Sequence, residues 1–472
     1  MAETDAQRVS DPDRRGSGAG DPAVTGSAGI GRAIGGAARV WPLLISVALA
    51  ACVLAYLQKL PCRAGGWNVA NFQYTHACYS DIYPLYFVEG LADGKIPYVG
   101  HAVEYPVVIG VFMQFVAWIV RSVADPTARG MAFYDITAIC MAACAVVTVL
   151  ATAYTGRRDR RSLIRDGLLV ACAPGLILAA YINWDLLAVA LTALAIACWA
   201  RHRPVWAGVL LGLAVATKFY PLLLLGPLFL LCLRAGRLRA FATTAGTAAV
   251  VWAVVNLPVA LVAPHGWATF YTFSQERPAD WGSIWYFFQT EHVPFLGTDD
   301  IDRINLLGTA TFAGCCLLIA VLALTAPRRP RLGQLCFLVL AAFLITNKVW
   351  SPQYVLWLLP LLVLARPRIF SYVVWQIAEI GYFVVIWPYL LRMLAEQPSP
   401  SLGIGTGPYF TALVARAVVV AGLCALIVVD VLRPSGDVVR GDGVDDPAGG
   451  VLDGAPDRFV LRSRPATAPG SA

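Results

Sequence analysis

Charge is what this chain has least of. Only 14% of its 472 residues are charged, against 58% hydrophobic, a balance too apolar for a soluble protein of this length. Metal-binding cysteine patterns are missing as well: the 12 cysteines form no CxxC pair and no Cys/His cluster, and most lie inside apolar segments as small core residues. No internal repeat recurs in register, because the long polar loops follow the first and seventh apolar segments and nothing comparable appears elsewhere. That absence counts against a transporter built from repeats. A signal-peptide cleavage site is lacking too; the first apolar run begins near Val40, far in and long, and reads as an uncleaved first helix.

What the chain does have is apolar length. Runs of nearly 20 apolar residues recur from Trp41 to Asp430, each able to cross ~30 Å of hydrocarbon. Candidate spans cover 40–57, 133–155, 167–182, 186–200, 205–216, 219–233, 240–262, 309–325, 332–345, 355–365, 370–391 and 410–432. The expected fold is therefore an all-α polytopic membrane protein of about 12 transmembrane helices over 40–432. Residues 1–39 and 433–472, rich in Gly, Asp, Pro and Arg, are expected to be disordered cytoplasmic tails.

The formal charge of +7 does not indicate nucleic acid, because the arginines sit in short clusters between apolar segments, where they set membrane orientation. These clusters also decide how the further apolar run at 105–120 is placed. As a full span it would put Arg157, Arg158, Arg160, Arg161 and Arg165 outside, against the cytoplasmic preference of short basic loops. Placed at the outer face or dipping into it, the run leaves every basic loop inside, with both termini cytoplasmic. The external face then carries loops at about 58–132 and 263–307, together with the turns around 183–185, 217–221 and 347–354.

Candidate chemistry collects on that face. Asp81 precedes an apolar stretch spaced as an interfacial helix (Tyr83, Tyr86, Phe87, Leu91) and reads either as that helix's cap or as an acid–base group. Glu104, at the start of the 105–120 run, has the same two readings. Asn183 and Asp185 sit at the outer ends of adjacent spans, as solvated caps or as binding groups. Lys218 and Lys348 are the only lysines after Lys95, and both break the positive-inside pattern. Each is a snorkelling surface cation or faces an anion such as a phosphate near the membrane surface. Glu379 and Arg416 lie within apolar spans and pair with each other, or Arg416 faces a polar cavity. His265 and His292 stand in an aromatic-rich loop that reads as interface anchoring or as sugar and headgroup contact. Cys62 and Cys78 follow the first helix, where an oxidising compartment permits a disulfide; the sequence leaves open whether it forms.

Asp81, Gly90, Asp93-Gly94-Lys95-Ile96-Pro97-Tyr98, Glu104-Tyr105-Pro106, Asn183-Trp184-Asp185, Thr217-Lys218-Phe219-Tyr220-Pro221 and Ser351-Pro352-Gln353-Tyr354 together resemble an actinobacterial polytopic glycosyltransferase of the GT-C fold. The nearest group is the polyprenyl-phosphate-mannose-dependent α-mannosyltransferase-like family. The resemblance implies a polyprenyl-phosphate sugar donor, a lipid or cell-envelope glycan acceptor, a plasma-membrane location and an external active site, with no cofactor. It makes Asp81 the catalytic base, Lys218, Lys348 and Arg416 the donor-phosphate ligands, and Glu104, Asn183, Asp185, Tyr220, Gln353 and His292 the substrate-positioning residues. Many relatives carry two adjacent carboxylates at the base position. Here Ser80 and Ile82 flank Asp81, which favours a base without a metal. The competing readings are a transporter or flippase for a lipid-linked intermediate and an inactive scaffold. Transporters concentrate polar groups near the midplane, whereas here they gather at one face.

Overall fold

The computed structural model describes residues 40–292, 297–394, 402–441 and 443–461. Residues 1–39 and 462–472, expected to be disordered, lie outside the described residues. Among the described residues the regular structure is helical, apart from one isolated bridge between Pro97 and His101.

Seven helices are long and apolar enough to cross a membrane: Val40–Arg63, Pro126–Gly156, Arg160–Ala179, Leu238–Val262, Ile301–Thr325, Ile369–Leu394 and Thr406–Leu432. Six shorter apolar helices accompany them: Val107–Val120, Asp185–Ala200, Pro204–Thr217, Tyr220–Ala235, Leu332–Thr346 and Pro352–Ala365. The seven long helices and the last five short ones fall on the twelve segments read from the sequence. Helices of 14 to 16 residues rise only about 21–24 Å, short of a ~30 Å core. Helix length alone therefore supports seven crossings, not twelve.

Burial sorts the helices by position. Every residue of Val355–Ala365 is buried, as suits a helix apolar on all sides at the centre of a bundle. Leu238–Val262 and Ile301–Thr325 are each only 11% buried and turn side chains such as Leu261 and Leu318 outward, the surface a hydrocarbon solvent accepts. Pro204–Thr217 packs against Leu238–Val262 across Gly208 and Gly212, where a methyl group would come within 2.5 Å of the Thr244 and Ala248 carbonyl oxygens. Small residues there let the two backbones approach. The same helix is opened by Pro204 and ends at Lys218, so its packing fixes where that lysine stands.

The helix after Asp81, Ile82–Val88, turns its aromatics into the protein: Tyr83, Tyr86 and Leu91 are buried, with Tyr86 against Phe133 at 4.8 Å and Tyr83 stacked on Trp67 at 5.1 Å. Its aromatics are the filling between the first loop and the Pro126–Gly156 helix. The segment after Arg433 is not disordered as far as it is described, to residue 461. Asp437 pairs with buried Arg331 at 2.8 Å, and Asp457 pairs with Arg234 at 2.7 Å and Arg329 at 2.8 Å. Asp446 accepts from the Leu332 amide at 2.8 Å. Arg331 in turn donates to the carbonyls of Leu364 and Ala365, each at 2.6 Å, and so caps the negative end of the Val355–Ala365 helix. A composition of Gly, Asp, Pro and Arg looks solvated until its acids meet arginines already buried at helix ends.

Candidate functional site

The helices that end in arginines at one side of the bundle begin or end in polar turns at the other, and those turns close on a cavity of about 700 Å³. Asp81, Glu104, Asn183, Lys218, Tyr220, Lys348 and Gln353 all line it, so residues up to 272 positions apart in sequence share one space. Asp185 stands directly behind, holding Lys218 at 2.9 Å.

Asp81 occupies the N-cap position of Ile82–Val88, yet its side chain makes no capping hydrogen bond. The capping reading therefore fails on geometry. Its carboxylate accepts instead from the Tyr79 hydroxyl at 2.5 Å, and its own amide donates to the Ile182 carbonyl at 2.7 Å. Ser80 donates to the Tyr181 carbonyl at 2.8 Å, fully buried Lys59 donates to the Tyr79 carbonyl at 2.7 Å, and a Cys62–Cys78 disulfide ties the segment leading to Asp81 back to the first helix. The carboxylate is thus held by its neighbours on both sides. Burial pushes its pKa up to about 6, against the opposing pull of the Tyr79 hydrogen bond and the Lys218 charge; removal from water disfavours the charged form, and a donor or cation restores it.

Lys218 and its surroundings form a neutral, aromatic-walled unit. The ammonium faces the rings of Tyr105 at 5.2 Å, Trp357 at 5.9 Å and Tyr354 at 6.0 Å, a setting that favours a cation. Trp357 lies between Tyr354, stacked at 3.7 Å, and Tyr220, stacked at 4.4 Å. The Trp357 indole donates to Asp185 at 3.1 Å, and Asn183 accepts from the Asp185 amide at 2.9 Å. Lys218 is therefore not a free cation, and Asn183 and Asp185 are partly occupied in holding it.

Two expected site residues lie elsewhere. Arg416 does not line the cavity; it is fully buried, ion-paired with Glu379 at 2.8 Å, and placed against the rings of Trp350 at 4.3 Å and Tyr382 at 4.5 Å. It also donates to the Trp350 carbonyl at 3.1 Å, so its charge is consumed in fastening the turn that carries Ser351 and Gln353. His292 is exposed, in a left-handed backbone conformation (φ 46°), and is not a cavity residue. His265 is exposed as well.

The cavity also contains groups that the sequence did not single out. Arg277 and Asp280 line it from the second long loop, and the Asp280 carboxyl is raised by burial and lowered in part by Arg277. Tyr79 stacks on Trp387 at 4.9 Å, and both rings line the cavity beside Asp81. A polar Asp-Trp-Gly sequence at Asp280 within an aromatic loop was the available signal. Among the described residues no group of three or more His, Cys, Asp or Glu side chains is placed to hold a metal ion.

A cavity with a half-buried carboxylate that stands at a helix start without capping it, cationic and aromatic walls, and a setting of apolar helices is suited to moving a polar group between amphiphilic molecules. No curated protein matches the sequence. The pattern of glycosyltransferase family 87 matches residues 104–352, more than half of the chain and the stretch that supplies Glu104, Asn183, Lys218, Arg277, Asp280 and Lys348 to the cavity. With its apolar helices and this match, the chain belongs to glycosyltransferase family 87.

Proposed function

We propose that this membrane glycosyltransferase takes a sugar, mannose on the resemblance, from a polyprenyl-phosphate donor and delivers it with inversion to a hydroxyl of a lipid or cell-envelope glycan acceptor at the external face of the plasma membrane. The observation that carries the reading is Asp81: a half-buried carboxylate at a cap position that caps nothing and opens onto the cavity. The acceptor hydroxyl attacks the anomeric carbon and its proton passes to Asp81. The new oxygen–carbon bond forms as the bond from that carbon to the phosphate oxygen breaks, and polyprenyl phosphate leaves with the electron pair. A weak nucleophile needs a base within hydrogen-bond reach, and a base with a pKa near 6 is ionised at neutral pH while retaining proton affinity. Lys348 supplies charge for the departing phosphate, where negative charge grows. Lys218, clamped by Asp185, holds the field at Asp81. Glu104, Asn183, Tyr220 and Gln353 orient hydroxyls around the reacting atoms. The test is incubation of the purified protein with polyprenyl-phosphate mannose and candidate acceptors: a product of inverted anomeric configuration and free polyprenyl phosphate are expected, and no transfer from any polyprenyl-phosphate sugar would end this reading.

A pH dependence follows with a definite sign. Below about 6 Asp81 is protonated and cannot accept the acceptor's proton, so the rate falls roughly tenfold per pH unit on the acid side and levels off above. The Tyr79 hydrogen bond lowers that pKa. Tyr79→Phe removes it, and the acid limb of the kcat/KM profile moves to higher pH. An acid limb unchanged in Tyr79→Phe would show that the titrating group is not Asp81.

Topology is tested separately. Arg239, exposed at the end of the bundle opposite the cavity, is cytoplasmic in the twelve-span threading. A cysteine in its place resists a membrane-impermeant maleimide in intact cells, judged against the parent protein, and reacts after permeabilisation. Labelling in intact cells refutes the threading.

A further inference from the structure

Of the three cations expected at the donor phosphate, two are already satisfied: Lys218 by Asp185 and Arg416 by Glu379. Lys348 is different. It is 7% exposed, lines the cavity, and forms no ion pair among the described residues. Its ammonium donates one hydrogen bond, to the Gln275 carbonyl at 2.7 Å, which leaves two of its three donors.

The same stretch of chain brings a second cation. The Lys348 carbonyl accepts from the Asp280 amide at 2.8 Å, so Lys348 is fastened to the segment from Gln275 to Asp280 at its main chain and at its side chain. Arg277 lies between those two anchor points and also lines the cavity. Its guanidinium approaches Asp280 only to 3.7 Å, beyond hydrogen-bond length, and sits 5.3 Å from the Phe273 ring. Among the described residues that guanidinium makes no hydrogen bond. Burial and then the Arg277 charge lower the Lys348 pKa, in keeping with two cations facing one space.

We propose that Arg277 and Lys348 together form the subsite for the phosphate of the donor and of the departing lipid phosphate. This assignment rests on the polyprenyl-phosphate reading of the cavity. The charge count supports it. A sugar phosphodiester carries one negative charge, and cleavage to the lipid phosphomonoester brings it toward two. Lys59, Lys218, Asp81 and Asp185 sum to zero on their side of the cavity, whereas Arg277 and Lys348 face the single cavity-lining carboxylate of their own segment, Asp280; Glu276 of that segment is exposed and does not line the cavity. Glu104 and Asp302 act on the two cations through space, without an ion pair. The planar guanidinium offers paired donors to two phosphate oxygens, and the ammonium acts as a compact charge. Both groups would be used more fully as the phosphate leaves than while it is esterified, which is the condition for lowering the barrier.

The experiment measures binding of farnesyl phosphate, with uncharged farnesol as control, to the purified full-length protein. Wild type is expected to prefer the phosphate. Arg277→Gln and Lys348→Gln should each weaken farnesyl phosphate by about tenfold or more without changing farnesol, and Arg277→Lys should recover part of the loss. Thermal unfolding of each variant confirms that it is folded. If wild type prefers the phosphate and both glutamine variants keep that preference, the Arg277–Lys348 assignment is wrong while the donor reading stands. If wild type itself does not distinguish farnesyl phosphate from farnesol, the donor reading fails and takes this subsite with it.

Discussion

Asp81→Asn is expected to reduce sugar transfer by about 10²- to 10⁴-fold, the range associated with loss of a general base, while leaving the protein folded. The side chains have nearly the same shape, and the amide oxygen still accepts from Tyr79. The bonds that fix the segment, from the Asp81 amide to Ile182 and from Ser80 to Tyr181, do not involve the carboxylate. No capping interaction is lost because none is made. Lys218 keeps Asp185 as its partner, and buried Lys59, which loses the through-space charge of Asp81, keeps its hydrogen bond to the Tyr79 carbonyl. Initial rates with a polyprenyl-phosphate sugar, measured beside the unfolding temperature, check both halves of the expectation. Full activity in the variant removes Asp81 from the role of base.

Arg416→Met should instead cost stability, about 3–5 kcal/mol, because it leaves the Glu379 carboxylate buried with its charge uncompensated. Both partners are almost wholly inaccessible. The double variant Arg416→Met with Glu379→Gln removes the charge from both sides, and replacing a whole buried pair by groups of similar volume is often close to neutral. Most of the stability should therefore return. Transfer activity should return with it to the extent that the Trp350–Ser351 turn keeps its place. A phosphate ligand would behave differently: the double variant would regain stability and still lose donor binding. Unfolding temperature and donor affinity across the single and double variants separate the two roles.

The sequence revealed the solvent of this protein more readily than the partners inside it. Apolar length is a local property, so the twelve segments were legible, and all of them are helical. The short lengths beside the turns around 183–185 and 217–221 were legible too: the segments read at 186–200, 205–216 and 219–233 are helices at Asp185–Ala200, Pro204–Thr217 and Tyr220–Ala235. Asp81, Lys218 and Lys348 stood out as polar groups between apolar runs, and the cavity does contain all three. Their pairings did not stand out. Nothing in the spacing of Asp185 and Lys218, 33 positions apart, says that one neutralises the other. Arg277 and Asp280 were hidden for a related reason: a charged pair three residues apart in a loop resembles ordinary solvated sequence until Lys348 is fastened beside it. The segment after Arg433 shows the same limit from the other side, since its aspartates read as exposed when taken alone and are ordered by Arg234, Arg329 and Arg331.

Whether the cavity performs chemistry or passage is decided most directly by reconstituting the protein in vesicles loaded with a polyprenyl-phosphate sugar and an acceptor and following the sugar–phosphate bond. The account predicts that the sugar appears on the acceptor with inverted anomeric configuration and that polyprenyl phosphate is released in equal amount. Movement of the intact lipid-linked sugar between leaflets, with that bond unbroken, would contradict it.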